Sequence, residues 1–151
     1  MRRKDREKDS AFAMEVIRDC EYIMLATINT DKTPYCIPIS HVLVGNSVYF
    51  HCATEGQKLL NIEKDNNVCI SGVRNVKRVP EGFTTKYESA VASGTCKIIN
   101  NDDEKIMALR KLSEKYAMSN IDNADSYIAE ALNRTCVCKI ELDNITGKAN
   151  I

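Results

Sequence analysis

Short apolar runs and runs of alternating apolar and polar residues occur at six places along the chain, and they predict six β-strands. In the last of these runs Cys138, Ile140 and Leu142 alternate with Lys139 and Glu141, which is the pattern of a strand with one buried face. The predicted strands cover residues 22–28, 34–44, 47–52, 67–73, 87–99 and 135–142.

Apolar residues that recur every three or four positions predict four helices between these strands. The strongest pattern begins where Asn101 and Glu104 form a capping box. Leu109, Leu112 and Tyr116 then continue an apolar stripe that starts at residue 106. The other predicted helices cover residues 10–20 with Ser10 as N-cap, 55–65, and about 124–133.

The connections between these elements predict the fold class. Gly45 and Asn46 join the second and third strands as a hairpin, and strands joined by short turns pair in the antiparallel sense. Pro38 cannot donate to a neighbouring strand, so it indicates a sheet edge. Residues 74–86 contain charges, Pro and Gly without a clear period, and we expect a long loop there. The expected architecture is a single mainly β domain over residues 1–151, an antiparallel Greek-key barrel decorated by helices.

Charge and hydropathy narrow the class of function. Lys and Arg together number 21, and so do Asp and Glu, so no net field would attract nucleic acid or an anionic membrane. No apolar run approaches the roughly 20 residues that cross a bilayer, and the first ten residues are highly charged. We expect a cytoplasmic protein that binds neither nucleic acid nor a membrane.

Seven cysteines are spread along the chain without a CxxC pair. Their odd number argues against a disulfide framework, and most lie in apolar runs, where cysteine packs as a small hydrophobe. Cys136 and Cys138 would share one face of a strand, so a metal or redox role for them is a lesser alternative to packing. His41 and His51 do not complete a zinc site at any recognisable spacing, and we expect no metal.

The segment VYFHCATEGQKLLNI, residues 48–62, carries the most specific candidate chemistry. Thr54 and Gln57 fit a capping box, and the free amides of such a helix start favour an anion such as phosphate. Gly56 would let a ligand approach the backbone, and Lys58 could place its charge on phosphate oxygens. A capped helix that binds nothing, with a structural His51 before it, is the plainer alternative. Motifs for self-contained hydrolytic or P-loop chemistry are absent from the sequence, so redox chemistry would need a cofactor.

An ordered set of segments gives the chain a family resemblance over nearly its whole length. It resembles the pyridoxamine 5′-phosphate oxidase-like flavoproteins, and among them the nitroimidazole-resistance (Nim) type. The segments are MRRKDRE, TPYCIPISHV, VYFHCATEGQKLLNI, NNVCISGV, YESAVASGTCKII, a helix containing EK, and KIELDNITGK.

The resemblance implies an FMN-binding split barrel that works as a homodimer, with flavin at the subunit interface. It also implies FMN as cofactor, with FAD as an alternative, and a small-molecule substrate. By position, the strand Ile37, Pro38, Ile39 and Ser40 would line the flavin ring, and the junction of His51, Gly56, Gln57 and Lys58 would hold the phosphate and the nearby flavin edge. Ser89 matches a polar position that faces FMN in relatives, and Lys148 belongs to a family signature without an assigned role.

The chain departs from true pyridoxamine phosphate oxidases, which have an Arg-Lys pair where Gln57 and Lys58 stand and further basic and aromatic residues near the C-terminus. Oxidation of pyridoxamine phosphate is therefore not expected. His51 matches a histidine on the substrate side of the flavin in the Nim type, which makes it the candidate catalytic residue. The resemblance implies an FMN-dependent oxidoreductase that reduces an electron-poor organic molecule such as a nitroaromatic. The alternatives are a flavin-binding sensor or store without turnover, and a haem- or deazaflavin-binding protein of the same fold.

Overall fold

Eight strands form one antiparallel sheet in the computed structural model, which describes residues 2–151. The sheet is a split barrel with peripheral helices, which confirms the predicted fold class. The strands are β1 (Glu7–Lys8), β2 (Ile23–Ile28), β3 (Pro34–Ile39), β4 (Val42–Val44), β5 (Ser47–Cys52), β6 (Asn67–Val79), β7 (Thr84–Ile98) and β8 (Cys136–Asn150). The helices are α1 (Ser10–Asp19), α2 (Gln57–Lys64), α3 (Asp102–Tyr116) and α4 (Ala124–Ala131).

The strands lie in the order β3-β2-β6-β7-β8-β5-β4, and β1 pairs with β8. Strand β3, which contains Pro38, is therefore at a sheet edge, as the missing proline N–H predicted. The predicted strand over residues 34–44 is instead two strands, because the chain breaks at Ser40 and His41. Only β4 forms the hairpin with β5, and β3 pairs with β2.

The predicted loop over residues 74–86 is wrong. These residues extend β6 and β7 into a two-stranded ribbon whose tip, Pro80–Gly82, is a single 3-10 turn. The pattern was hidden because the ribbon has little buried surface: Phe83 at its tip is 99% exposed, and exposed strands show no apolar alternation. Strand β8 also runs eight residues beyond its predicted end, to Asn150, in part for the same reason, since six of those eight residues are incompletely buried.

The helices α1 and α3 each begin with a side chain that caps the helix. Asp9, not Ser10, is the N-cap of α1, and its carboxylate accepts from the N–H of Phe12 at 2.8 Å. Asn101 caps α3 as predicted, by accepting from the N–H of Glu104 at 2.9 Å. The Glu104 side chain does not return to the cap and accepts instead from the Tyr49 hydroxyl at 2.8 Å.

Two apolar clusters lie on opposite faces of β5. Val48 and Phe50 point into the barrel, where α1 closes one end with Ala13, Val16 and Ile17, all fully buried. Tyr49 points outward and packs with α3 and α4 around Leu109, Leu112 and Ile128. Because side chains alternate along a strand, His51 shares the outward face with Tyr49, and Cys52 shares the inward face with Phe50.

A close backbone approach fixes the pairing of the two longest strands. The register between β7 and β8 shifts between Ser93 and Gly94, so the pairing is irregular at this glycine. A Cβ added at Gly94 would lie 2.1 Å from the carbonyl oxygen of Glu141, a distance that no side chain tolerates. The two strands can therefore approach each other here only because residue 94 is glycine.

We expect Gly94→Ala to lower the free energy of unfolding by about 3 kcal/mol or more, because the clash is with backbone and cannot be relieved by a side-chain rotation. Gly45→Ala is the control: Gly45 has a positive φ, which Gly94 does not, but an added Cβ there meets nothing within 4 Å. It should cost only about 1–2 kcal/mol, the cost of a left-handed backbone for alanine. Urea denaturation of both variants measures the difference, and equal losses would contradict the close-approach argument.

Candidate functional site

A cleft of about 570 Å³ lies between the outward face of the barrel and the helices α3 and α4. It brings together two of the predicted site residues, Ser40 at the end of β3 and His51 on β5. Its lining is more apolar than polar, and most of the other polar groups lie on the helix side. The other lining residues are Cys52, Ala53, Leu109, Leu112, Ser113, Tyr116, Ala117, Tyr127, Ile128, Ala131, Arg134 and Thr135.

Ser40 is positioned by a buried polar cluster at the break between β3 and β4. The N–H of His41 donates to the Tyr116 oxygen at 3.0 Å, and the Tyr116 hydroxyl lies within hydrogen-bond distance of the carbonyls of His41 and Glu21. The Nε2 of His41 is 2.5 Å from the carbonyl oxygen of Ile17, and since a carbonyl only accepts, Nε2 carries the proton. These bonds join the C-terminal end of α3 to the strand break.

The ring of His41 is uncharged at neutral pH. Burial lowers its pKa to about 4, and the nearby positive charge of Lys115 acts in the same direction. The side chain is fully buried and its ring nitrogens have polar neighbours, which describes a structural histidine rather than a ligand.

His51, unlike the fully buried His41, is exposed to solvent. It lies across from Val137 in the β5–β8 pair, and its side chain is exposed at the cleft. The surrounding protein nevertheless displaces enough water to lower the pKa of the ring, and desolvation is the cause. The lowered pKa favours the neutral ring at pH 7, in which one nitrogen donates and one accepts. A bound aromatic molecule could meet either nitrogen.

The start of α2, which follows β5 through Ala53 to Gly56, differs from the capping box predicted for it. Gly56, with a φ of +137°, is the N-cap, and no side chain caps the helix. Thr54 is therefore not the cap, because the helix begins two residues later than its sequence pattern suggested. An added Cβ at Gly56 would meet nothing within 4 Å, so the backbone at the helix start is open to a ligand.

The side chain of Gln57 is already occupied. Its amide nitrogen donates to Asn61 at 2.8 Å and to Asn29 at 3.3 Å. Asn61 is fully buried and donates in turn to Asn29 and to Thr27, both at 2.9 Å. This amide network holds the first turn of α2 against the end of β2, so Gln57 positions the helix start and its neighbours rather than offering a free group.

Lys58 is half-buried next to the network and close to the cleft. Its charge is near enough to act on the thiol of Cys52, which itself lines the cleft. The open helix start and the cleft are therefore adjacent, and Lys58 brings a positive charge to the boundary between them. This arrangement suits a molecule with an aromatic end and an anionic end.

The residues of β3 that were predicted to line a flavin are only partly accessible to a ligand. Ile37 and Ile39 turn their side chains toward the barrel core, and Pro38 between them is exposed. Since β3 pairs only with β2 in the sheet, its other backbone edge faces outward. The residues could contact a flat ligand through main-chain groups, as the family resemblance implied.

Ser89 does not join the other predicted residues within one chain. It lies opposite Lys148 on β8, whereas His51 lies opposite Val137, and these two β8 positions are about 36 Å apart along an extended strand. Its hydroxyl donates to the Lys148 carbonyl at 3.3 Å. The Lys148 ammonium lies 5.7 Å from the centre of the Tyr87 ring, so this basic residue is also remote from the cleft.

Sequence reasoning missed three cleft residues on the helix side. The sequence pattern places Tyr116 only in the apolar stripe of α3 and predicts no role for Tyr127 on α4 or for Arg134 after it, yet all three line the cleft. The guanidinium of Arg134 is 3.5 Å from Glu130, and both are exposed. No local pattern distinguishes a tyrosine that lines a cleft from one on an ordinary helix surface, because the cleft forms only when α3 and α4 pack on the barrel.

The fold and the cleft define a class of small antiparallel split-barrel proteins with a ligand cleft beside a helix start. The pyridoxamine 5′-phosphate oxidase family profile matches residues 9–149, and the chain belongs to this family. A search of curated proteins found no significant match. No helix in residues 2–151 is both long and apolar enough to cross a membrane.

Solved structures show the same fold. A protein from Bacteroides thetaiotaomicron, named as a candidate 5-nitroimidazole antibiotic resistance protein, is 24% identical with a TM-score of 0.80, over 94% of this chain and 84% of that one. An FAD- and haem-binding protein from Mycobacterium smegmatis is 20% identical with a TM-score of 0.80, over 96% and 73%. HutZ, a haem storage protein from Vibrio cholerae, is 14% identical with a TM-score of 0.64, over 92% and 90%.

Proposed function

We propose that the protein is an FMN-dependent oxidoreductase that reduces a small electron-poor aromatic molecule, such as a nitroaromatic. The observation that carries the proposal is the adjacency of the two halves of the site: an apolar cleft with a neutral His51, and an open helix start with Lys58. FMN has the matching shape, an aromatic ring system joined to a single phosphate. FAD has a diphosphate and a second ring system, and one helix start with one lysine matches it less well.

Each half of the proposed site has a distinct task. The open amides at the start of α2 and the Lys58 ammonium would hold the phosphate, and Gly56 leaves room for it. The outer edge of β3 would contact the flavin ring through main-chain groups. When bound, the flavin would supply the hydride for reduction, which no side chain of the protein can do.

His51 would orient the substrate. Because the ring is neutral, its N–H can donate to a partly negative oxygen of a nitro group without placing a full charge in an apolar cleft. Tyr116 and Tyr127, on the opposite wall, present aromatic surface to a flat ring. The cleft therefore combines shape selection for planar molecules with a hydrogen bond for their orientation.

Oxidation of pyridoxamine phosphate is not part of the proposal. Gln57 stands where the resemblance implies an arginine in enzymes with that activity, and its neutral amide is held by Asn29 and Asn61. Lys58 is left to carry the positive charge at this helix start. A second substrate phosphate would have no matching basic pair at this position.

The proposal includes a homodimer, supported by the outward face of β6 and β7 in the sheet next to the ribbon. Ser89, expected to face flavin, lies on this face opposite Val73, while Ala90 beside it points inward and is 1% exposed. Val73 and Val91, on neighbouring strands of the same face, are each 46% exposed, and apolar side chains that are exposed together favour an interaction surface. A second chain that covered this face could bring its own cleft to Ser89, which would complete the site from two subunits.

A haem-binding alternative has one observation in its favour. A neutral histidine in an apolar cleft, as His51 is, can ligate haem iron. The absorption spectrum of the purified protein separates the two cases, since haem and flavin absorb in different and characteristic bands. A protein that holds flavin without multiple turnovers would instead be a flavin-binding sensor or store.

We expect Lys58→Ala to weaken FMN binding by about 10- to 100-fold, because it removes a charge-assisted contact with phosphate worth about 1.5–3 kcal/mol. Riboflavin, which lacks the phosphate, should bind the variant and the wild type equally. Fluorescence titration with both flavins measures this, and Lys64→Ala, in the last turn of the same helix, is the matched control. Equal losses for FMN and riboflavin would refute the phosphate assignment.

The role of His51 is tested by turnover. We expect His51→Gln to keep its FMN and to reduce a nitroaromatic, with a nicotinamide donor, at a kcat/KM at least about 10-fold lower than wild type. Glu63→Gln, an exposed position on α2, serves as control and should leave kcat/KM unchanged. Wild-type protein that holds flavin but shows no steady-state reduction with any donor would point to the store or sensor instead. Unchanged kcat/KM in His51→Gln would remove His51 from the reaction.

The dimer is tested by placing a charge on the exposed face. Light scattering should give a particle of two chains for the wild type and a monomer for Val91→Lys, because a buried ammonium without a partner is strongly unfavourable. Val91→Lys should also lose FMN together with the dimer. Ile106→Lys, another exposed apolar position but on α3, should remain a flavin-loaded dimer. A flavin-loaded wild-type monomer would exclude the interface site.

A further inference from the structure

Three cysteine thiols converge inside the barrel, next to the cleft. The sulfur atoms of Cys52, Cys136 and Cys138 all lie within 4.8 Å of one another. We propose that this trio, Cys52, Cys136 and Cys138, is a binding site for one thiophilic ion of low coordination number, of the Cu(I) type.

The strand register accounts for the convergence. Cys136 and Cys138 are two positions apart on β8 and therefore share its inward face. Cys52 ends β5 directly opposite Cys136, and Phe50 lies opposite Cys138. Three sulfur atoms around one ion at roughly 2.3 Å lie about 4 Å from one another in a trigonal plane, so the trio needs only small side-chain adjustments.

The composition of the trio selects the class of ion. No imidazole or carboxylate of residues 2–151 joins the three sulfurs. Soft sulfur ligands select ions such as Cu(I), whereas hard ions require oxygen. Zn²⁺ also binds thiolate but is almost always four-coordinate in structural sites, and the trio supplies three ligands.

The surroundings of the trio let an ion enter from solvent, and they reduce the negative charge of the loaded site. Cys136 and Cys138 are buried, but Cys52 is half-buried and lines the cleft, which gives an ion a path from solvent. Each thiol that ligates the ion gives its proton to solvent, so a loaded site carries excess negative charge. Lys58 lies near Cys52, and Lys105 lies near Cys136, and their positive charges reduce that excess.

The cross-strand pair Cys52 and Cys136 could instead form a disulfide. That alternative leaves Cys138 without a role, although its sulfur also lies within 4.8 Å of the other two. It would also require an oxidant, which the metal site does not. The presence of a third inward sulfur is therefore what favours a metal over a disulfide.

The test is a titration of reduced, oxygen-free protein with Cu(I) against a chromophoric Cu(I) chelator. We expect one ion per chain, and an affinity at least about 10-fold lower in Cys52→Ser and in Cys138→Ser. Cys69→Ser and Cys36→Ser, at exposed cysteines on β6 and β3, are the matched controls and should bind as the wild type does. Circular dichroism confirms folding, and the half-buried Cys52 carries the test if the Cys138 variant does not fold.

Several results would overturn the proposal. These are undiminished Cu(I) binding in Cys52→Ser, an equal loss in the Cys69→Ser control, or tighter binding of Zn²⁺ than of Cu(I). A Cys52–Cys136 disulfide in the isolated protein, with no Cu(I) binding after its reduction, would also do so. The readout is independent of flavin and of turnover, so it stands or falls separately from the proposed oxidoreductase.

Discussion

The pairing of β8 with three other strands is the constraint on which the rest of the structure depends. This strand pairs with β7 over nearly its whole length, with β5 at its start and with β1 near its end. Its register with β7 is fixed at Gly94, where the backbone of Glu141 comes too close for any side chain. Because side chains alternate along a strand, a slip of one residue would turn the buried Cys138 and Ile140 outward.

The same register determines which groups meet near the cleft. It places Val137 opposite His51 and Cys136 opposite Cys52, so one strand position sends an imidazole toward α3 and α4 and the next sends a thiol into the barrel. Two candidate sites of different chemistry thus lie back to back across β5. The cleft with His51 faces the helices, and the three cysteine sulfurs belong to the barrel core. Each depends on the same few backbone hydrogen bonds between β5 and β8.

Local signals in the sequence predicted the elements whose capping and burial are local. Asn101 caps α3 through an amide three residues away, and Pro38 marks an edge because its own nitrogen has no proton. Local sequence patterns gave wrong predictions where a residue far away in the sequence determines the local structure. Thr54 fits a capping pattern, but Asn29 and Asn61 hold Gln57 in another arrangement, and the helix begins at Gln57 with Gly56 as its cap. The 74–86 ribbon has no local pattern because hardly any of it is buried.

For the candidate site, the sequence allowed us to predict which residues take part more readily than which groups surround them. The sequence indicated that His51 and Lys58 flank a strand-to-helix junction. The structure adds the surroundings of each side chain, which determine how it can contact a ligand. Desolvation at the cleft lowers the pKa of the His51 ring and favours its neutral, hydrogen-bonding form, whereas Lys58 lies half-buried at the boundary of the cleft. A ligand that satisfied both would need a neutral aromatic part and an anionic part, separated by the length of the junction. The two side chains therefore act on different ends of one molecule, and neither could replace the other: a charged ring would be costly in the apolar cleft, and a neutral group would hold phosphate weakly.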